Sequence, residues 1–245
     1  MGPQFEKCAL EFLRPGVDKN AYIFDAWPGE YQKIEEFVAA FGIRNLFVSS
    51  RQSARDLSRT TRSRCTFHWV PEGLDAQPFI EGPTLPKEID VLQFGRRWDW
   101  YHSKIVGPLA EAGYRHLYER SKSQLVFPDR TAFVEGLRRS RVSVCVPSNV
   151  THPARAGDNS TMTQRYLQSM AARTLIVGLL PDDMEEVFGY PPIVPIEKSD
   201  PVGQLFEILA NYDRYLPLIE RNFEAVQQQS WVDRWQTILQ RMAVR

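Results

Sequence analysis

The chain has 245 residues, 43% of them hydrophobic, enough for one large core or two small ones. Its 30 Lys and Arg balance 30 Asp and Glu, and the isoelectric point is near 6.9, so no global field draws it to nucleic acid or to an acidic membrane. The three cysteines, Cys8, Cys65 and Cys145, are odd in number and lack redox or metal spacing. The four histidines are scattered, so neither a disulfide framework nor a structural metal is expected. No apolar run approaches the ~20 residues that span a bilayer, and no signal peptide is visible at the N-terminus. The expected setting is cytoplasmic, with free thiols. The sequons at Asn149 and Asn159 are then chance matches.

Residues 1–20 read as a short helix and a loop broken at Pro15-Gly16. A strand is expected over Tyr22–Ala26, then a helix with Ile34, Phe37, Val38 and Phe41 inward and Gly42 as its C-cap. Asn45–Ser49 reads as a strand, Ser50 as the cap of a polar helix to about Thr60, and Thr66–Val70 as a third strand. This alternation predicts a parallel unit. Arg51, Arg55, Arg59, Arg62 and Arg64 form a basic run, either a solvated helix face or a seat for phosphates or an anionic surface. Near-neutral net charge favours the solvated face, so peripheral membrane contact is not favoured. Pro71 to Pro86 has the composition of a linker.

Ile89–Phe94 is a strand leading into Gly95-Arg96-Arg97, where a Gly admits close backbone approach and an Arg can reach phosphate. Trp98, Trp100 and Tyr101 follow, suited either to stacking on a sugar or base or to packing. A helix through Ile105, Leu109 and Ala110 ends at Gly113, and Tyr114–Tyr118 is the next strand. Val126-Phe127-Pro128 is extended. Asp129 caps a helix with Phe133, Val134 and Leu137 inward, and Val142–Val146 is an apolar strand ending in Pro147-Ser148. Asn159, Ser160 and Thr161 predict a helix from about Thr161 to Ala172. Its Met162, Tyr166, Leu167, Met170 and Ala171 pack, while Thr161, Gln164, Arg165 and Gln168 share a polar face. Helix N-termini offer unpaired N–H groups, which makes Ser160, Thr161, Met162 and Thr163 a candidate phosphate seat. The strand Leu175–Val177 follows, then an acidic helix over Pro181–Phe188, a strand over Ile193–Ile196 and helices at 202–211 and 214–228. Ser230 precedes a last helix carrying Trp231, Trp235, Ile238 and Met242 on one side.

Ser160, Arg165, Gln168, Met170-Ala171 and Leu175–Val177 together resemble the donor-site segment of group 1 glycosyltransferases of the GT-B fold. Gln168 stands where that family has a carboxylate and Arg173 where it usually has Gly. Gly95-Arg96 is similar to the family's turn at the start of the donor domain, with Lys104 the nearest Lys after it. The resemblance implies an α/β fold of GT-B type, a doubly wound parallel-sheet donor domain preceded by a partial Rossmann-like domain. The expected division is residues 1–83, an acceptor-side domain with its linker; 84–230, the nucleotide-sugar domain; and 231–245, a helix crossing back to the first. Only the second half of the family's first domain precedes the linker.

By the same resemblance, Gly95, Arg96, Phe127, Pro128, Ser160, Thr161, Met162, Thr163, Arg165 and Gln168 are donor-binding residues, with Phe127 and Pro128 at the base. Arg96 would stabilise the leaving diphosphate. Asp25, at the carboxyl end of a parallel strand, either orients an acceptor hydroxyl or caps a loop. The expected function is metal-independent, retaining transfer from a nucleotide sugar to an acceptor the sequence does not name, with no cofactor. The rivals are a non-catalytic nucleotide-sugar-binding or scaffold protein and an adaptor for anionic surfaces acting through the arginine helix. A homodimer through residues 1–83 is expected from the open edge of the first sheet.

Overall fold

A computed structural model describes residues 9–119 and 125–243; Cys8, the start of the expected N-terminal helix and residues 120–124 lie outside the described residues. In chain order come α1 (Ala9–Phe12), β1 (Asn20–Ile23), α2 (Tyr31–Phe41), β2 (Asn45–Val48), α3 (Arg51–Thr60), β3 (Thr66–Trp69) and a short α4 (Gln77–Ile80). Next are β4 (Ile89–Gln93), α5 (Asp99–Glu111), β5 (His116–Tyr118), α6 (Arg130–Arg138) and β6 (Ser140–Cys145). Two short helices, α7 (Ser148–Thr151) and α8 (Pro153–Ala156), precede α9 (Gln164–Ala171) and β7 (Leu175–Gly178). After these come α10 (Met184–Phe188), β8 (Val194–Pro195), α11 (Pro201–Ala210), α12 (Leu216–Val226) and α13 (Trp231–Ala243).

The chain divides into two compact units, one of Met1–Glu72, Ser148–Met162 and Val232–Arg245, the other of Gly73–Pro147 and Thr163–Trp231. This division differs from the expected one in assigning Ser148–Met162 to the first unit and the linker from Gly73 onward to the second. The reason is local bonding. Asn159 Nδ2 donates to Ser53 Oγ, Ser50 Oγ donates to Asn159 Oδ1, and Arg155 pairs with Glu30 at 2.6 Å.

In the first unit β1, β2 and β3 form a parallel three-stranded sheet with Ile23 opposite Val48 and Val48 opposite Trp69. Central β2 is buried along its length and apolar from Leu46 to Val48, as a strand covered on both faces must be. One face packs on α2 and α3 through Ile34, Phe37, Val38, Ala54 and Leu57. Burying each of the larger side chains, Ile34, Phe37, Val38 and Leu57, stabilises the fold by roughly 1.5–3 kcal/mol. Gly42 ends α2 in the left-handed region at φ 63, and Ser50 caps α3 by accepting from the Ser53 N–H. Phe47, Val70 and Ile238 cluster with Tyr22 and Met242, so α13 packs in this unit, while Trp235 on the same helix is 57% exposed. Strand β1 ends at Ile23 rather than the expected Ala26, because Asp25 turns the chain into the left-handed region at φ 50.

The second unit is a five-stranded parallel sheet in the order β5-β4-β6-β7-β8. Helices α5 and α11 pack together, with Tyr101, Ile105, Leu109, Leu205 and Ile208 joining Val91, Val142, Val144, Leu175 and Val177 in its core. Helix α9 meets β6 and β7 and lies beside α12. Between β6 and α9, Ser143 donates to Ser169 Oγ at 2.8 Å, and Ser169 donates in turn to the Arg165 carbonyl. Tyr101, expected to be free for a sugar or for packing, is fully buried in this core. Cys65 and Cys145 are free thiols. No helix among the described residues is long and apolar enough to cross a membrane.

Candidate functional site

Strand order fixes where a ligand can sit on the second unit. The chain starts at β4, moves out to β5, then returns past β4 to β6, so the direction of winding reverses between β4 and β6. In doubly wound sheets the crevice for ligands opens at the carboxyl ends of the two strands flanking that reversal. Here those ends are Phe94 to Arg96 after β4 and Val146 after β6.

Arg165 occupies this point. Its Nη1 donates to the Arg96 carbonyl at 2.7 Å and the Phe94 carbonyl at 3.4 Å, and its Nη2 donates to the Val146 carbonyl at 2.8 Å. The residue is 8% exposed. Its guanidinium therefore ties the two strand ends together, which differs from the expected role on a ligand-facing surface. Gly95 lies in the left-handed region at φ 66, and a Cβ there would stand 3.4 Å from Arg165 Cδ. A side chain at Gly95 would be strained in its backbone and crowded against that tie.

Helix α9 begins at Gln164, with Thr163 as N-cap, rather than at the expected Thr161. Thr163 makes no side-chain cap bond, and its buried hydroxyl has no hydrogen-bond partner. Ser160, Thr161 and Met162 belong to the first unit, where the buried Thr161 hydroxyl donates to the Ser49 carbonyl at 3.5 Å. Of the expected phosphate seat, only Thr163 is in the unit that contains α9.

Beside the crevice a cavity of about 350 Å³ opens in the second unit, in the range of small-ligand pockets. Phe127, Pro128 and Gln168, expected from sequence to contact a donor, all line it. Phe79, Phe133 and Leu125 add apolar wall, and Glu119, Asp129 and Arg130 add polar groups. Phe133 rests on Phe94 at 5.2 Å and Phe127 on Phe133 at 6.1 Å between ring centroids, which links the cavity wall to the end of β4. A Cβ at Gly136 would strike the Phe127 ring, so the bare Gly of α6 makes room for that ring. Asp129 caps α6 by accepting from the Ala132 N–H.

The β4 end is also held by two histidines. His102 Nδ1 and His116 Nε2 lie 2.6 and 3.1 Å from the single acceptor Gln93 Oε1, so each nitrogen carries its proton. Burial, then the nearby His102 and Arg97, holds His116 down to about 4, and the pair stays neutral at physiological pH. Arg97 Nη1 donates to the Glu119 carbonyl at 3.3 Å, fixing the chain where it enters the cavity. Sequence reading missed Glu119, Phe79 and the histidine pair. Their separation along the chain carries no periodic signal, and only strand pairing brings His116 beside Gln93.

In the first unit Asp25 stands at the carboxyl end of β1 in its left-handed conformation. Trp27 follows, stacked on His152 at 6.0 Å and under the Arg155 guanidinium at 4.9 Å. The hydrogen bond from Arg155, before any other cause, holds the Glu30 carboxyl below its ordinary range. Among the described residues no group of three or more His, Cys, Asp or Glu could hold a metal.

No protein-family model and no curated protein matches the chain. Solved structures do. Anabaena HepE, in complex with UDP and glucose, superposes with a TM-score of 0.67 at 9% identity over 93% of this chain and 72% of its own. TarM superposes at 0.60 with 10% identity, over 94% of this chain and 51% of its own. Sucrose-phosphate synthase from Thermosynechococcus elongatus gives 0.54 at 14% identity, over 85% and 60%. The chain has the GT-B glycosyltransferase fold. At these identities the likeness concerns the GT-B architecture, and the chain spans about half to three quarters of the length of these GT-B structures.

Proposed function

We propose that the protein transfers a sugar from a nucleotide-sugar donor to an acceptor. The donor sits in the cavity of the second unit. One observation carries this reading: strand pairing and helix packing bring Phe127, Pro128 and Gln168 into one aromatic-walled cavity at the carboxyl side of a doubly wound sheet. Phe127 and Pro128, expected at the base, and Gln168, expected at the ribose, are far apart in sequence and share that wall. An aromatic wall suits the flat face of a base, and Gln168 offers an amide to ribose hydroxyls. HepE, with the same fold, has been solved with UDP-glucose.

Arg96, directly after Gly95, supplies the cation for the diphosphate, and Gly95 lets the backbone approach it. The N-terminus of α9, with the unpartnered Thr163 hydroxyl, adds donors and dipole. Fixed charges of this kind stabilise a leaving diphosphate without a metal. Arg165 positions: by clamping the carbonyls of Arg96 and Val146 it holds both strand ends at the site. Asp25 orients the acceptor hydroxyl, and the anomeric configuration is retained.

Gln168 favours a second reading, a module that binds nucleotide sugar without transferring it. A neutral amide gives ribose less charge assistance than a carboxylate. Thermal melting against a panel of UDP-, GDP-, ADP- and dTDP-sugars, followed by a diphosphate-release assay, separates the two. Stabilisation with release is the expected result for a transferase, and stabilisation without release identifies a binding module. No stabilisation by any of the panel overturns both.

A further inference from the structure

At the C-terminal end of α9 lies a second, smaller cavity that shares the Phe79 wall with the donor cavity and that the proposed transfer does not use. Its volume is about 70 Å³, and Lys87, Arg138 and Arg173 all line it, with Gly82, Thr84 and Phe79 among its walls. That space holds an anion of a few heavy atoms and excludes a nucleotide. Lys87 sits just before β4, and its Nζ donates to the Arg173 carbonyl at 2.7 Å and the Ala172 carbonyl at 3.3 Å. When protonated it keeps a third N–H. Arg138 Nη2 donates to the Pro83 carbonyl at 2.6 Å, leaving its other nitrogens for a ligand.

Arg173 is built in at a cost. Its backbone is left-handed at φ 49, a conformation side chains adopt reluctantly. It is held there by Glu220, which accepts from Nε with both carboxylate oxygens at 2.9 and 3.0 Å, and by the Phe223 ring 3.3 Å beneath the guanidinium. Glu220 is the acidic group in this cluster, and it is engaged with Arg173. Three cations then meet around a small cavity with one carboxylate between them.

We propose that this cavity is a binding site for a single phosphate-sized oxyanion, held by Lys87, Arg138 and Arg173. The protein's own groups leave Lys87 poorly compensated: burial first, then Arg173 and Arg138, bring its ammonium down to about 7, against the opposing pull of Glu220. An oxyanion among the three cations supplies the missing counter-charge, so binding and protonation of Lys87 support each other. Affinity is therefore highest below neutral pH and falls as Lys87 loses its proton.

Inorganic sulfate is the probe, because it stays a dianion across this range. Calorimetric titration of the full chain is expected to show binding at about pH 6 that weakens roughly tenfold or more by about pH 9. Lys87→Met is expected to bind at least tenfold more weakly at the lower pH and to lose the pH dependence. Arg138→Gln, at a half-buried wall, keeps a hydrogen-bond donor and tests the site without emptying its buried end; a several-fold loss is expected. Sulfate binding that is absent at the lower pH, that does not change with pH, or that both variants retain overturns the proposal. Because sulfate is not a nucleotide, failure here leaves the donor site untouched.

Discussion

Arg165 brings a charge into the protein and spends it on backbone carbonyls. Replacing it with Met leaves the carbonyls of Phe94, Arg96 and Val146 without that donor. Hydrogen bonds from a charged group contribute roughly 1.5–3 kcal/mol each, not additively, so Arg165→Met should lower stability by about 3 kcal/mol in urea unfolding. A loss below ~1 kcal/mol would mean that the tie between the strand ends contributes little. Lys87 gives a pH dependence of defined sign. The unfolded chain keeps this proton up to its ordinary value of 10.5, while the folded chain releases it above about 7. Between those values the unfolded state binds more protons, so this group's contribution to stability rises with pH; below about 7 its penalty is fully present. The stability difference between wild type and Lys87→Met should shift toward wild type from about pH 7 to about pH 9, by up to ~1.4 kcal/mol per pH unit. A flat difference would contradict the buried, poorly compensated ammonium.

Elements built from local signals were legible in the sequence. Gly42, Ser50 and Asp129 act as the caps they resemble, and the strands expected at Asn45–Ser49, Ile89–Phe94 and Val142–Val146 correspond to the parallel strands β2, β4 and β6. Misreadings fall where distant partners decide. Ser160 and Thr161 have the composition of a helix cap, yet α9 starts only at Gln164, because Asn159 and Thr161 are bound to Ser50, Ser53 and Ser49. Those contacts span more than 100 positions, and no local pattern encodes them. The orientation of Arg165 was not legible, since strand ends separated in sequence supply its acceptors. The left-handed backbone at Arg173 accounts for the Gly usual there by family resemblance. Asn159→Ala is expected to cost roughly 2 kcal/mol, because it removes two buried hydrogen bonds, one from Ser50 Oγ and one to Ser53 Oγ, and loosens the segment 148–162. Limited proteolysis within 148–162 should then accelerate; an unchanged cleavage rate with unchanged stability would show that the segment is held by other contacts.

For the whole molecule, the first sheet has β1 and β3 as its outer strands, and Leu10, Leu13, Val17 and Phe24 near β1 are 46–80% exposed. We propose that a second copy covers this flank, pairing the same surface on both subunits. Light scattering at micromolar concentration should report about twice the chain mass of 28.3 kDa. A single-chain mass would contradict the homodimer and leave the donor site unaffected.

The donor cavity itself is tested most directly by calorimetry with the nucleotide sugar that best stabilises the wild-type protein. Phe127 lies on the cavity wall with its ring against Gly136, so Phe127→Ala removes the aromatic surface while leaving the sheet and α9 in place. Stacking of a base on an aromatic ring contributes roughly 1–3 kcal/mol, and the variant is expected to bind about ten- to a hundredfold more weakly. An unchanged dissociation constant would place the nucleotide elsewhere and contradict the reading of this cavity as the donor site.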